Sequence, residues 1–324
     1  MQALLRSVER RLLMALQYDF DPEDPDPYAT AASEAGIGEG EAVRLLRDLA
    51  VRGILKRVGY YLNYRSHGRV AALVAYATRG RARLVAEVYR GDPETTHVYL
   101  RDHPVYDLWV VVKRRSREEL EAHVRGVAEE FGVDYVILYS RRTYKLSVKY
   151  DLERGISRSG RYAEVHPDPP RPEELGIPLG LARSLRSLPL VERPYKAIAA
   201  KHGLAEDEVI DAAVKLLRAG VLGDPGAALD GWRIGFRDNA MVVMEPGTDY
   251  GSLCSCVTRL PFTTHVVERE PVPPGAWRQN CYFMVHGVSR GVVDSAILEA
   301  SETCRPRSLR PIRSLADLKP GVTR

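Results

Sequence analysis

The chain lacks long hydrophobic runs and the short motifs that identify many metal-dependent or nucleotide-dependent enzymes. No stretch approaches the ~20 apolar residues that a membrane-spanning helix needs, and the charged, leucine-containing start does not resemble a signal peptide. There is no CxxC pair and no Gly-rich phosphate-binding loop. These absences predict a globular protein of the cytoplasm with no membrane contact.

Cysteine is scarce and confined to the second half of the chain. The four cysteines have neither the spacing nor the density of a disulfide framework or a zinc module; they are Cys254, Cys256, Cys281 and Cys304. Two residues apart on a predicted helix, Cys254 and Cys256 face different directions, which disfavours a shared metal. We therefore expect four reduced thiols.

Positively and negatively charged residues are also nearly balanced. The chain has 47 Lys and Arg against 43 Asp and Glu, so its net charge of +4 is mild for a nucleic-acid-binding protein of 324 residues. Most of the basic residues are Arg, whose guanidinium offers two parallel donors to a carboxylate or phosphate. The composition favours an anionic ligand.

What the sequence does contain is an internal duplication. The pattern of prolines, glycines, acids and leucines over 27–55 recurs over 194–222, and Thr95–Arg101 recurs as Thr263–Arg269. The spacing between the related segments is nearly constant over this length. Two copies of one two-part domain are therefore predicted.

Each copy begins with helices and continues with strands. The pattern of copy 1 predicts a winged helix-turn-helix. Its three helices are expected over ~4–17, from Pro27 and over ~39–52, and a small strand pair is expected within 54–63. The next segment has the order βαββαβ of a ferredoxin-like domain. The expected class is α+β, with domains 1–66 (winged helix-turn-helix), 67–152 (ferredoxin-like), 181–237 (winged helix-turn-helix) and 238–324 (ferredoxin-like), and a linker at 153–180 without regular structure.

This architecture resembles the Lrp/AsnC family of transcription regulators, which implies DNA binding through the third helix. That helix starts Glu39-Gly40-Glu41 in copy 1 and Glu206-Asp207-Glu208 in copy 2. Acidic residues cap a helix N-terminus favourably, but they also repel phosphates. We therefore expect no specific DNA binding, while a regulator remains the alternative function.

Two strand motifs resemble the two subunits of siroheme decarboxylase. His97-Val-Tyr-Leu-Arg-Asp-His103 with Tyr106-Asp-Leu-Trp109 is similar to the motif of one subunit, and His265-Val-Val-Glu-Arg269, Trp277, Asn280 and Met284-Val-His286-Gly are similar to the motif of the other. The chain departs from the family pattern in the extra residue of Pro104-Val105, and at Asp107, where Asn is usual, at Val267, and at Arg278-Gln279. Both subunits' motifs therefore occur in one chain.

The resemblance implies removal of two acetate carboxyls from siroheme, giving didecarboxysiroheme for the biosynthesis of heme or heme d1. It implies four catalytic histidines, His97, His103, His265 and His286, and five substrate-binding residues, Arg101, Arg269, Tyr99, Trp109 and Asn280. The arginines suit substrate carboxylates and a histidine suits proton delivery. No added cofactor is expected; which histidine donates the proton or ligates the siroheme iron stays open.

The partners follow from the same resemblance. The tetrapyrrole is expected between the two ferredoxin-like sheets of an intrachain pseudo-dimer, and further homo-oligomers are compatible with the sequence. A third hypothesis is a sensor that binds heme without the chemistry. The strand alternation supports a site, because one face is expected to carry Val98 and Leu100 and the other face His97, Tyr99, Arg101 and His103.

Overall fold

The computed structural model describes residues 5–320; the outermost ends of the first and last predicted domains, 1–4 and 321–324, lie outside the described residues. The chain divides into two compact units. The helical unit contains the chain through residue 67, 145–237 and 286–292, and the sheet unit contains 68–144, 238–285 and the chain from 293 onward. No helix within 5–320 is long and apolar enough to cross a membrane.

The helices and strands alternate along the chain in two related series. The helices are α1 Ser7–Tyr18, α2 Pro27–Ala35, α3 Glu39–Val51, α4 Ala82–Gly91, α5 Arg117–Phe131, α6 Leu179–Leu185, α7 Pro194–His202, α8 Glu206–Arg218, α9 Tyr250–Thr258 and α10 Arg290–Cys304. The strands are β1 Leu55–Leu62, β2 Val70–Ala77, β3 Thr95–Arg101, β4 Leu108–Arg114, β5 Asp134–Leu146, β6 Lys149–Asp151, β7 Ile156–Arg158, β8 Leu222–Leu229, β9 Asp238–Glu245, β10 His265–Val272, β11 Cys281–Gly287 and β12 Ser308–Asp317.

The helical unit contains the two predicted three-helix segments. α2 and α7 both begin with proline at the first helical position, and both end at a left-handed glycine, Gly36 and Gly203. The apolar faces of both segments pack into one core with the residues that follow them. The duplicated helix pattern is therefore confirmed.

The predicted strand pair within 54–63 is wrong. One strand, β1, forms there, and it pairs antiparallel with β8 of the other copy. Gly59 and Gly226 are opposite each other in this pairing. A Cβ atom at Gly59 would lie 2.7 Å from the Arg186 carbonyl oxygen, and a Cβ atom at Gly226 would lie 2.4 Å from the Leu16 carbonyl oxygen. Each strand therefore packs against the first helix of the other copy, which a hairpin within one copy would prevent.

The predicted linker is more ordered than its composition indicates. β7 pairs with β6, a short 3₁₀ helix spans Pro172–Leu175, and Lys145 forms an isolated bridge with Glu164. The Gly160 amide donates to the Ser147 hydroxyl at 2.8 Å, and the Pro167 carbonyl oxygen accepts from the Arg65 guanidinium at 2.9 Å. The segment packs through such contacts, which its Pro, Gly and Arg content does not reveal.

The sheet unit repeats the βαββαβ order, which confirms the predicted α+β class. Copy 1 forms the strand order β5-β2-β4-β3, and copy 2 forms β12-β9-β11-β10. β3 pairs with β12, and β10 pairs with β5, so the eight strands form one closed sheet. Each copy therefore supplies half of a single structure.

The two faces of this sheet have different neighbours. In copy 1, Val98 and Val110 pack with α4 and α5 on one face. The opposite face carries a second cluster drawn from both copies, including Trp109, Trp277 and Tyr282. The strand alternation predicted from the sequence places the polar motif residues on this second face.

The prediction of reduced thiols is wrong. Cys254 is bonded to Cys281, and Cys256 is bonded to Cys304, so all four cysteines are in disulfides. Cys254 and Cys256 do point in different directions from α9, but each meets a different element, β11 or α10. Sequence separations of 27 and 48 residues conceal this proximity.

Candidate active site

Two histidines occupy equivalent positions on β3 and β10. His97 and His265 are both half-buried, and both follow a threonine whose hydroxyl contacts the imidazole Nδ1. The Thr96 Oγ1 to His97 Nδ1 distance is 2.9 Å, and the Thr264 Oγ1 to His265 Nδ1 distance is 3.3 Å. The two copies therefore hold each imidazole in the same way.

Two arginines connect the copies at equivalent places. The Arg101 guanidinium donates to the Ile312 carbonyl oxygen of β12 at 3.2 Å, and the Arg269 guanidinium donates to the Leu138 carbonyl oxygen of β5 at 3.0 Å. Each also stacks over a tyrosine ring, at 5.0 Å for Arg101 and 5.1 Å for Arg269. Both side chains therefore stabilise a junction between strands of different copies.

Tyr99 lies between two of the predicted site residues. Its ring centroid is 6.0 Å from that of His97 and 5.0 Å from the Arg101 guanidinium carbon. The side chain is buried. The structure thus brings His97, Tyr99 and Arg101 together on one strand face, as the alternation predicts.

Four rings from both copies form an aromatic cluster beyond the end of β3. Trp277 of copy 2 lies 5.5 Å from His103, 5.8 Å from Tyr106 and 5.7 Å from Trp109, measured between ring centroids. Trp109 is fully buried and donates through Nε1 to the Tyr106 carbonyl oxygen at 2.7 Å. The planes of the other three rings lie at 44° to 82° to that of Trp277, so the rings interlock, and the half-buried His103 and Tyr106 form the accessible side of the cluster.

His103 is held in one protonation state by the turn that follows it. Its Nδ1 accepts hydrogen bonds from the backbone amides of Val105 and Tyr106, at 3.2 and 3.0 Å. Burial lowers the pKa of His103, and the nearby charge of Arg310 lowers it further against the opposing effect of Asp102. The imidazole is therefore neutral, with its proton on Nε2.

The turn before β11 positions Asn280. The buried Asn280 side-chain NH₂ donates to the Trp277 carbonyl oxygen at 3.1 Å, and the Asn280 backbone carbonyl oxygen accepts from the Arg269 backbone amide. Trp277 in turn donates through Nε1 to the Gln279 carbonyl oxygen at 2.8 Å. Asn280 thus fixes the aromatic cluster from the copy 2 side.

His286 belongs to the helical unit rather than to the sheet unit of the other three histidines. Its backbone amide donates to the Ser157 hydroxyl at 2.9 Å, and its ring lies 5.8 Å from Tyr150. His97, His103 and His265 share one unit, and His286 lies outside it. Its catalytic role stays a prediction.

The departure from the family pattern at Asp107 has a structural reason. Its carboxylate accepts from the Thr78 amide at 2.8 Å and from the Thr78 hydroxyl at 2.5 Å. Thr78 is buried, and it precedes α4. A carboxylate therefore stabilises the turn between β2 and α4, with both of its oxygens as acceptors.

Metal ligation by clustered side chains is not seen in the described part of the chain. No group of three His, Cys, Asp or Glu residues within 5–320 could hold a metal ion. Three further residues near the site are not predicted from the sequence: Thr96 and Thr264, although both belong to the repeated motif, and Arg310, which no motif identifies. A search for side chains that flank both copies' histidines would have found the threonines.

Comparison with protein families first defines the class. The model for an AsnC-like ligand-binding domain matches residues 66–145 and 233–319, which together cover half of the chain. The model for the helix-turn-helix domain of NirDL-like siroheme decarboxylases matches residues 183–222. The chain belongs to the family with AsnC-like ligand-binding domains.

Individual relatives narrow the family further. The siroheme decarboxylase of Hydrogenobacter thermophilus is 29% identical over 281 residues, covering 86% of this chain and 82% of that protein. The siroheme decarboxylase alpha subunit of Desulfovibrio desulfuricans is 32% identical over 45% of this chain and 84% of that subunit. The chain is a member of the siroheme decarboxylase family.

A solved structure shares the fold. The crystal structure of the siroheme decarboxylase NirDL matches with a TM-score of 0.63 and 24% identity, over 97% of this chain and 92% of that one. The match extends over both copies. It supports the duplicated arrangement described above.

Proposed function

We propose that this chain is a single-chain siroheme decarboxylase, which removes two acetate carboxyls from its substrate as CO₂. The observation that carries the proposal is the repeated Thr–His pair on β3 and β10, each followed by an arginine that stacks on a tyrosine, Tyr99 of β3 or Tyr282 of β11, in a chain that belongs to the siroheme decarboxylase family. A structure of NirDL contains an iron-uroporphyrin III analogue, a related iron tetrapyrrole. The tetrapyrrole is the proposed ligand of the sheet unit.

The chemistry requires one proton for each carboxyl removed. When the bond to the carboxylate carbon breaks, CO₂ leaves and the electron pair stays on the acetate methylene carbon, where the macrocycle delocalises it. A proton on that carbon then completes a methyl group. General acid catalysis by a positioned imidazole typically contributes ~10²–10⁴-fold to such a step.

His97 and His265 are the proposed proton donors. Each has a threonine hydroxyl at Nδ1 that fixes the ring while the other nitrogen serves the substrate. His103 is less suited to this step, because two amides already donate to its Nδ1 and oppose the imidazolium form. We assign His103 to hydrogen bonding rather than proton delivery.

Arg101 and Arg269 are the proposed partners of substrate carboxylates, with Tyr99 beside the first of them. A guanidinium has five N–H donors, so a hydrogen bond to a strand carbonyl is compatible with a further contact to a carboxylate. Trp109 and Asn280 contribute through the aromatic cluster that they form or position. No separate organic cofactor is included in this proposal.

One experiment tests the function directly. Siroheme is incubated anaerobically with the purified chain, and the tetrapyrrole is analysed by mass spectrometry for loss of two CO₂. Recovery of unchanged siroheme, under conditions in which a known siroheme decarboxylase converts it, would contradict the proposal. Tight binding without conversion would favour the sensor.

The regulator alternative has its own test. The first turns of α3 and α8 carry five acids in all, and the Arg47 guanidinium on α3 is bonded to the Leu190 carbonyl oxygen. We expect weak, unselective retention of duplex DNA at physiological salt. Nanomolar, sequence-dependent binding to a promoter fragment would restore the regulator. Cytoplasmic location and further homo-oligomers remain part of the proposal.

A further inference from the structure

The two copies meet at two related ends of the closed sheet. We name them after the arginines that join the strands: at the Arg101 end the guanidinium contacts Ile312 on β12, and at the Arg269 end it contacts Leu138 on β5. Because the two contacts are equivalent, each residue near one junction has a counterpart near the other. Side chains at matching offsets from the two junctions can therefore be compared.

The aligned positions carry different chemistry. Two residues after the arginine stands His103 at the Arg101 end and Pro271 at the Arg269 end. Two residues before the contacted carbonyl stands Arg310 at the first end and Val136 at the second. One end thus presents two N–H donors, and the other presents two apolar side chains.

The first donor is preorganised by the backbone. Because the Val105 and Tyr106 amides donate to the Nδ1 of His103, the ring proton is on Nε2, on the opposite side of the ring. The extra residue in Pro104-Val105 belongs to this turn. A neutral imidazole with a fixed N–H is a hydrogen-bond donor to an acceptor such as a carboxylate.

The second donor is available. The Arg310 side chain is exposed, and its guanidinium has no hydrogen bond or ion pair to any other residue within 5–320. The nearby acid Asp102 is already engaged, because its carboxylate accepts from the Arg313 amide. The Asp102 amide donates to the Arg313 carbonyl oxygen at 3.1 Å, so the chain at His103 continues beside β12, where Arg310 lies on the same strand face as Ile312.

We propose that Arg310 and His103 form a carboxylate-binding subsite that exists at the Arg101 end alone. Beside it, the half-buried Tyr106 ring packs on the buried Trp277 and supplies an aromatic wall for the macrocycle that bears the carboxylate. The inference rests on the proposed function and adds to it: the substrate binds in one orientation, with one productive site per chain. Arg310 is a substrate-binding residue in this assignment.

The subsite is tested by binding, which does not require turnover. Iron-uroporphyrin III and iron-coproporphyrin, which lacks the acetate carboxylates, are titrated against the whole chain, and the Kd is followed by absorption. Arg310→Ala should weaken binding of iron-uroporphyrin III about 10- to 100-fold, the usual loss for one charge-assisted contact. Its effect on iron-coproporphyrin should be at most about threefold.

Two further variants control the measurement. Arg310→Lys keeps the charge and should recover part of the affinity, although the single ammonium cannot reproduce a bidentate contact. Arg307→Ala removes an exposed cation from the residue just before β12 and should leave both affinities unchanged. Circular dichroism checks that each variant is folded, which the exposure of both side chains predicts.

Several outcomes overturn the subsite. It is wrong if Arg310→Ala leaves iron-uroporphyrin III binding unchanged, if Arg307→Ala weakens it equally, or if two equivalents bind per chain with equal affinity. Failure of the proposed function is distinct: the wild-type chain would bind iron-uroporphyrin III in an Arg310-dependent way but leave siroheme intact. Decarboxylation with no dependence on Arg310 would overturn the subsite alone.

Discussion

At equivalent positions between neighbouring elements, copy 1 has apolar side chains and copy 2 has disulfides. In copy 1, Ala86 of α4 and Leu108 of β4 are buried apolar residues, whereas the corresponding positions of α9 and β11 in copy 2 carry the disulfide Cys254–Cys281. The second disulfide, Cys256–Cys304, likewise replaces apolar residues, Val88 and Phe131. Equivalent elements therefore tolerate either dispersion contacts or covalent bonds, and the chosen chemistry can change without the fold.

The same comparison applies to function. Both copies have the His–Thr pair and an arginine stacked on a tyrosine, although Tyr99 and Tyr282 come from different strands of the repeat, while only copy 1 has a histidine two residues after the arginine. Residues that the copies share support the closed sheet and the proposed chemistry. Residues that differ make the two ends of the site unequal, so that the proposed substrate binds in one orientation. Substitutions of shared residues and of differing residues should therefore have different effects.

The largest effect is expected at the shared histidines. His97→Ala and His265→Ala should each reduce siroheme turnover by ~10²–10⁴-fold if that imidazole delivers a proton, measured as CO₂ loss by mass spectrometry. The binding constant for iron-uroporphyrin III should change much less. The comparison is sharpest if the two losses differ, since each histidine then serves a different acetate.

His103→Ala and His286→Ala complete that series. His103→Ala should affect binding more than turnover, because its imidazole is a neutral donor. Wild-type turnover in all four variants, with folding intact, would contradict the catalytic assignment of this strand face.

Breaking the disulfides is the next largest perturbation. Loss of either one should lower the free energy of unfolding by ~2–4 kcal/mol, because each cross-link restricts the unfolded chain. Chemical denaturation with and without a reductant measures the effect. A variant with the copy 1 residues, Cys254→Ala with Cys281→Leu, should recover part of the loss through apolar packing.

The control for reduction is a chain without any of the four cysteines. Its stability should not respond to the reductant. If the wild-type chain also shows no response, although mass spectrometry confirms reduction, the disulfides do not stabilise copy 2.

A smaller and symmetrical loss is expected at the paired glycines. Gly59 and Gly226 have φ values of +146° and +127°, and a Cβ on either would meet a backbone carbonyl. Gly59→Ala and Gly226→Ala should each cost ~1–3 kcal/mol of unfolding free energy. Gly40→Ala in α3, where a Cβ would meet a flexible side chain at 3.5 Å, is the matched control and should not destabilise. A loss at one strand glycine alone would break the symmetry.

The smallest effect concerns acid and is confined to copy 1. Burial lowers the pKa of both His103 and His123, so the unfolded chain binds more protons as the pH falls through ~6.5. Stability from this source is present at neutral pH and is lost on acidification. His123→Ala, which introduces the residue that copy 2 has at Ala296, should flatten the dependence of Tm on pH between 7 and 5. An unchanged slope would exclude His123 as a contributor.

The sequence predicts those parts of the fold that depend on local pattern. Proline at the first position of α2, glycine after it, and alternation along β3 are properties of a few neighbouring residues. They identify the helices, the βαββαβ order and the face shared by His97 and Arg101. Repetition in the second copy strengthens each of these predictions.

Contacts between distant residues are not predictable in this way. The pairing of β1 with β8 and the approach of Arg310 to His103 depend on how the copies meet. The disulfides fail for the same reason, since the spacing of cysteines along a helix excludes a metal site but does not exclude separate partners. The polar groups that complete the proposed site thus come from the second copy.

The exchange of strands between the copies affects how the chain is made. α1 packs against β8, so α1 has no complete partner until residues 222–229 have been synthesised. At ~5–20 residues per second, the interval after β1 is of the order of ten seconds or more. During that time β1 is an unpaired edge beside exposed leucines, a segment that chaperones bind. Copy 1 alone therefore leaves β1 and the face of α1 without their partners, and a chain stopped after copy 1 should aggregate.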